Sequence, residues 1–215
     1  MAIGDRKNYT IYEKEDISQL RGRALFKSLF EKKIIRKEFS REKPKREHKK
    51  QLIKKSLRRY KIQDKIHFTS NFTRFWFTFI STSNPLSIDK ITSNLDVFIS
   101  LCFEELSNEL LINKLKRENV QNFGSYWDKD IEIDLLIEDI NGALIAGEVK
   151  WKNHKICKNI LNKLKNKCTK SGLDVKYFAL FSKSGFSKEL LNQNQKDNNL
   201  LLFDLKSFEE LILKY

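Results

Sequence analysis

Two hydrophobic periods alternate along the second half of the chain. In SNLDVFISLCFEELSNELLINKL (93–115), apolar residues fall at 95, 98, 99, 102, 106 and 110, the stripe of an amphipathic helix. SYWDKDIEIDLLIED (125–139) and ALIAGEVKW (143–151) read as strands, separated by the tight-turn signal Asn141-Gly142. NHKICKNILNKLKNKC (153–168) returns to helical spacing, with a stripe at 156, 157, 160, 161, 164 and 168 and Asn153 placed as its N-cap. VKYFALFS (175–182) is a mostly apolar strand, which suits a central position. FSKELL opens a helix, NLLLFD is a last strand and LKSFEELILKY a closing helix. The order from residue 93 is therefore α-β-β-α-β-α-β-α, which predicts a mixed sheet with helices on its faces.

The first half reads differently. EDISQLRGRALFKSLFEKKII (15–35) has helical spacing at 17, 20, 24, 25, 29 and 30, with Gly22 as a point where it could split in two. IIRKEFS and LRRYKIQDKIHF read as strands around the basic connection REKPKREHKKQ. A helix followed by two strands about a charged loop has the form of the second half of a winged helix; a basic linker with flanking strands is the plainer reading. NFTRFWFTFIS (71–81) concentrates aromatic residues and reads as a buried connecting segment. The expected organisation is a basic winged-helix-like domain over 1–70, an aromatic connection over 71–92 and a mixed α/β domain over 93–215.

Charge sharpens this division. Of the net +14, residues 1–67 carry 22 Lys+Arg against 9 Asp+Glu, whereas residues 68–215 carry 20 against 19. Within 36–61 there are 13 basic and 3 acidic residues. Such a segment attracts a polyanion, and without an amphipathic face bearing Trp or Phe it suits nucleic acid better than a membrane surface. Lys43, Lys45, Arg46, Lys49, Lys50, Lys54, Lys55, Arg58 and Arg59 are the candidate phosphate contacts. No apolar run approaches the length of a transmembrane helix, and MAIGDRKNYT lacks the apolar core of a signal peptide. Cys102, Cys157 and Cys168 are too few and too scattered for a disulfide framework or a zinc site. They read as small core residues in a reducing cytoplasm.

The acidic residues in the two strands are the anomaly, since strand interiors are depleted in Asp, Glu and Lys. Alternation puts Ile131, Ile133, Leu135 and Ile137 on one face, with Glu132, Asp134 and Leu136 on the other. Glu148 and Lys150 likewise share a face. Paired as a hairpin, the strands bring Asp134 beside Glu148 or Lys150. Closure directly by Asn141-Gly142 would set Asp134 against Val149, on the wrong face. The pairing that joins the two carboxylates needs an odd-length loop or a one-residue bulge near 139–142. Two carboxylates so close raise each other's pKa unless a cation intervenes, and a hard cation such as Mg²⁺ or Mn²⁺ suits that site. The lysine can orient a water or stabilise charge on a phosphate. An isolated Glu-x-Lys is more often a surface salt bridge; its setting among a helix, two strands and a second helix favours the site. Glu132 reads as solvated, and Trp127 and Trp151 as packing groups.

Asp134 followed by GEVKW, with Glu148 and Lys150, resembles the PD-(D/E)XK nuclease superfamily. The resemblance implies a restriction-endonuclease-like α+β fold, Mg²⁺ (or Mn²⁺) bound by Asp134 and Glu148, and phosphodiester hydrolysis assisted by Lys150. It also implies a glutamate from the preceding helix: Glu104 of CFEEL, or Glu105. The Pro usual before the Asp is here Ile133. A resemblance covering more of the chain runs through SNFTRFWFTFI, CFEEL, GSYWDKDIEIDLL and GEVKW to the uncharacterised C-terminal domain of archaeal-type AAA ATPases. In that family a winged helix precedes the nuclease-like part, and RRYKIQDKIHF resembles its last wing strand. No GxxxxGK[ST] occurs here, so the chain is similar to that tail standing without its ATPase.

These readings converge on a metal-dependent DNA endonuclease with a basic DNA-binding N-terminal part, and Glu104, Asp134, Glu148 and Lys150 as catalytic residues. The alternative is a non-catalytic nucleic-acid-binding or regulatory module that keeps the nuclease fold and docks a separate ATPase. DNA is the expected partner, with a second copy of the chain or that ATPase as a protein partner.

Overall fold

The structure is a computed structural model that describes residues 6–43, 50–52, 54–55, 60–81 and 88–212. The chain divides into two compact units, 1–98 and 99–215.

In the first unit, helices α1 (Asn8–Lys14) and α2 (Gln19–Glu31) precede strands β1 (Ile35–Glu38) and β2 (Lys65–Phe68). The strands pair antiparallel from Ile35↔Phe68 to Glu38↔Lys65. Ser18 starts α2 by accepting the Arg21 N–H. Gly22 does not split the helix. An ideal Cβ there would lie 2.4 Å from the Tyr12 ring, so the bare glycine is what lets α1 close onto α2. Ile11, Tyr12, Phe26, Ile35 and Ile66 form the small core. The two strands flank the basic connection, but the second covers only Lys65–Phe68 of the segment read as a strand, and residues 44–49, 53 and 56–59 lie outside the described residues.

The aromatic segment is helical and only partly buried, which corrects the expectation of a buried connection. Helix α3 (Asn71–Phe75) runs into a π-helical turn, Trp76–Ile80. Residues four apart share a helix side, so Phe72 and Trp76 point outward (71% and 46% exposed) while Phe79 is buried. Phe75, Phe79 and Phe98 form an aromatic cluster with ring centroids 4.9–5.7 Å apart.

Helix α4 (Ile88–Leu115) contains the boundary between the units. In the second unit its inward face is Phe103, Ser107, Leu110 and Leu111, whereas Leu106 of the predicted stripe is 45% exposed. Apolar residues lie on neighbouring faces of this helix, and sheet packing selected a face rotated from the one the spacing favoured.

The sheet has one strand more than predicted. β3 (Val120–Trp127), β4 (Glu132–Asp139), β5 (Leu144–Lys150), β6 (Val175–Ser182) and β7 (Leu200–Asp204) stand in that spatial order. The β3–β4 and β4–β5 pairs are antiparallel; β5–β6 and β6–β7 are parallel. β3 is an edge strand with Gln121, Asn122 and Phe123 exposed, so it shows little hydrophobic alternation to read. Helices α5 (Lys158–Lys170) and α6 (Lys188–Lys196) make the parallel crossovers, and α7 (Glu209–Ile212) follows β7.

Both sheet faces are covered. Phe103, Leu110 and Leu111 of α4 meet Leu135, Ile137, Ile145, Val149 and Phe181 on one face. Leu161 and Leu164 of α5 and Leu190 of α6 meet Leu136, Ala146 and Leu180 on the other. The result is an α+β fold with a five-stranded mixed sheet flanked by helices, compatible with a restriction-endonuclease-like fold.

Several local expectations change. Ile133 packs with Leu136, not with Leu135 and Ile137, because the β3–β4 register shifts between Gly124↔Leu136 and Tyr126↔Ile133. Helix α5 starts at Lys158 after Cys157; Asn153 does not cap it but accepts the Lys183 ammonium at 2.7 Å. Of the cysteines Cys168 is buried, Cys102 half-buried and Cys157 exposed, so Cys157 is not a core residue. Trp127 is buried, and Trp151 packs its ring 5.2 Å from Phe103. Among the described residues no helix is long and apolar enough to cross a membrane.

Gly147 sits in the middle of β5, where an added Cβ would come 3.0 Å from the Leu135 Cβ of the paired strand. Gly147→Val overpacks this point, and the expected outcome is a loss of about 1–3 kcal/mol, read as a lower urea midpoint with unchanged m-value.

Candidate functional site

The site begins with a turn. The Asp139 Oδ1 accepts the backbone N–H groups of Asn141 (2.9 Å) and Ala143 (2.8 Å), while Gly142 takes φ +79°. These contacts stabilise a longer connection, with five residues between the paired Glu138 and Leu144, in place of a two-residue hairpin. The register is then Leu135↔Gly147, Leu136↔Ala146, Ile137↔Ile145 and Glu138↔Leu144. Continued one step further, this register would set Asp134 opposite Glu148, the parity an odd-length loop provides, although the ladder itself ends at Leu135↔Gly147.

Regular pairing stops there, and a side chain takes over. The Asp134 Oδ2 accepts the Val149 N–H at 2.8 Å. The Lys150 Nζ donates to Glu148 Oε1 at 2.6 Å and to the Val149 carbonyl at 3.1 Å, and lies 3.8 Å from Asp134 Oδ2. From α5, the Lys167 Nζ donates to Glu148 Oε2 at 2.7 Å. Each oxygen of Glu148 thus has its own ammonium partner. Glu148 is buried, and Asp134 and Lys150 are half-buried.

The electrostatics follow from this crowding. Burial, then the charge of Glu148, push Asp134 up to about 6, against the opposing pull of Lys150, the Val149 N–H and Lys167. Burial favours the neutral form of Lys150, but the charges of Asp134, Glu148 and Glu104 outweigh it and leave its pKa above the ordinary lysine value. Glu104, half-buried on α4, therefore acts on the same spot. Glu105 is also half-buried, and Glu132 is exposed at the start of β4.

Asp134, Glu148 and Lys150 come together, with the charge of Glu104 reaching Lys150. Lys167 was missed. The sequence offers many lysines on α5, and the one available signal was its place three residues after the inward-facing Leu164. Among the described residues no group of three or more His, Cys, Asp or Glu gathers as a ready metal cage. Two carboxylates in reach of one point suit a hard cation that keeps several of its waters. Of the candidate nucleic-acid contacts, Lys43, Lys50, Lys54 and Lys55 are exposed, while Lys45, Arg46, Lys49, Arg58 and Arg59 lie outside the described residues.

A site of this form, two carboxylates and a lysine at the meeting of an antiparallel and a parallel strand pair, can be set beside known proteins. Residues 76–167 match the family DUF234, described as archaea bacterial proteins of unknown function. No curated protein matches. Among solved structures, the ATP-dependent Type ISP restriction-modification enzyme LlaBIII bound to DNA is 20% identical, over 55% of this chain and 8% of that one, with a TM-score of 0.37. An EndoMS–dsDNA complex is 19% identical, over 47% and 44%, at 0.29. The VC1899 protein of Vibrio cholerae is 14% identical, over 95% and 47%, at 0.34. This chain spans less than half the length of each of those chains.

The raised pKa of Asp134 has a sign. Between roughly pH 4 and pH 6 the folded state holds a proton there that the unfolded state has released, so stability falls as pH rises through that window. Asp134→Asn keeps an oxygen for the Val149 N–H and removes the buried charge. It is expected to stabilise the protein at pH 7.5 by on the order of 1–3 kcal/mol, and by almost nothing below pH 4. Urea titrations of both proteins across that range measure it.

Proposed function

We propose that the protein is a divalent-cation-dependent nuclease whose second unit carries the chemistry and whose basic first unit holds DNA. The observation that carries the reading is the cluster itself: Lys150 lies within 3.8 Å of both Asp134 and Glu148, and Asp134 accepts the Val149 N–H. Asp134 and Glu148 would hold Mg²⁺ or Mn²⁺, with Glu104 contributing directly or through a water. When bound, such an ion supplies charge neutralisation at the two carboxylates and polarisation of a phosphate oxygen. Lys150 offers its ammonium beside the carboxylates, where it binds a phosphate oxygen, orients the attacking water and stabilises charge as the P–O bond breaks. Burial matters here because charge interactions strengthen where water is scarce. Exposed Lys43, Lys50, Lys54 and Lys55 supply sequence-independent phosphate contacts.

One observation favours the non-catalytic reading: both Glu148 oxygens already have lysine partners, so the site is neutralised from within. Thermal unfolding separates the two. On the nuclease reading, millimolar Mg²⁺ or Mn²⁺ raises the Tm of the wild type but not of Asp134→Asn or Glu148→Gln. The same protein then cuts single-stranded, duplex, flapped or branched DNA. Asp134→Ala, Glu148→Ala and Lys150→Ala each lose about 100-fold or more of this activity. Extra metal partly rescues the first two but not the third. A wild type that neither gains Tm nor cuts any of these substrates favours the non-catalytic reading.

DNA affinity is expected to depend on the first unit. Reversing the charges of Lys43, Lys50, Lys54 and Lys55 should weaken duplex binding and flatten its salt dependence, as measured by fluorescence anisotropy from low to high salt. Asp134→Ala should leave affinity unchanged or slightly higher, because it removes an anion from a site that receives phosphate.

A further inference from the structure

Lys167 is outside the Asp/Glu-x-Lys pattern, yet it makes one of the two ammonium contacts to the buried Glu148. Glu148 Oε1 is held by Lys150 at 2.6 Å and Oε2 by Lys167 at 2.7 Å. A hard cation shared by Asp134 and Glu148 needs at least one of those oxygens. The two lysines differ in how firmly they are tied. Lys150 is on the same strand as Glu148, also donates to the Val149 carbonyl, and lies 3.8 Å from Asp134. Lys167 reaches in from the last turn of α5, and its side chain is 30% exposed against 22% for Lys150. A long lysine side chain at that position can swing its head into water at little cost.

We propose that Lys167 is a positioning residue that acts as a built-in counter-cation: its ammonium occupies the Glu148 oxygen that a divalent ion takes, and the ion binds by displacing it. The inference rests on the cation-dependent reading of the site. Without such a partner, Glu148 would be left with one ammonium in a buried setting, and burying a charge that is not fully compensated is unfavourable. The arrangement thus keeps the metal-free protein folded while opposing the cation, and it sets cation affinity below what the two carboxylates alone would give.

The test is Mn²⁺ and Mg²⁺ binding to the full chain by titration calorimetry, without nucleic acid, alongside the cation-induced shift in Tm. Lys167→Gln removes the competing charge. The expected outcome is cation binding tightened about five- to tenfold, with a larger rise in Tm on adding the ion. Lys163→Gln, an exposed position on the same helix, controls for the general loss of a positive charge and should change affinity by less than about twofold. Lys167→Arg keeps the charge and offers a two-pronged donor, so it should bind the cation more weakly than the wild type. This variant moves the opposite way and keeps the test open even if Lys167→Gln folds poorly. Affinity in Lys167→Gln equal to or weaker than that of the wild type, or a tightening matched by Lys163→Gln, overturns the displacement idea while leaving the cation site standing. Wild type, Lys167→Gln and Lys167→Arg all failing to bind either ion overturns the cation-dependent reading together with it.

Discussion

The register of β4 against β5 is the constraint on which the rest of the site depends. Side chains alternate across a sheet with a period of two, so a slip of one residue would send Asp134 to the face opposite Glu148. Two hydrogen bonds to Asp139 and the positive φ of Gly142 set the loop length, and the loop length sets the register. The same strands also carry the core: Leu135, Ile137, Ile145 and Val149 pack on one face and Leu136 and Ala146 on the other. A slip would therefore exchange side chains between two closely packed apolar layers that are each shaped for the residues they now hold. The site and the core are held in place by the same pairing.

Where regular pairing ends, the charged cluster begins. The β4–β5 ladder runs to Leu135↔Gly147, and the Asp134 carboxylate receives the next backbone donor, that of Val149. The irregularity on the β3 side, between Gly124↔Leu136 and Tyr126↔Ile133, moves Ile133 to the other apolar layer at the same level. β-bulges re-aim side chains in this way beside functional sites. The consequence is a partly buried carboxyl group whose proton affinity is raised by burial and by Glu148, next to a lysine whose positive charge is reinforced by three acids.

The net charge is divided unevenly between the two units. Nearly all of the net positive charge falls within the first 67 residues, outside the unit with the paired carboxylates. Dense positive charge acts over a distance set by screening, whereas the ion pairs of Glu148 act at short range where water is scarce.

The sequence by itself determined the elements with strong periodicity and the chemistry that breaks it. The α5 and β6 segments, the succession of helices and parallel strands after Gly147, and Asp134, Glu148 and Lys150 as one group were all legible, because charged residues in apolar strands stand out. The geometric condition for joining the carboxylates was legible too, since it follows from parity alone. What only the tertiary structure decided were matters of competition between near-equal options. β3 is an edge strand whose exposed residues leave no alternation to read. The inward face of α4 was chosen by the sheet from several apolar stripes, and Leu106 lost. Phe72 and Trp76 were sorted outward by helical winding that an aromatic-rich composition does not reveal. Lys167 was indistinguishable from its neighbouring lysines until α5 was laid across the sheet, because a contact between residues 148 and 167 depends on helix placement and leaves no periodic trace in the chain.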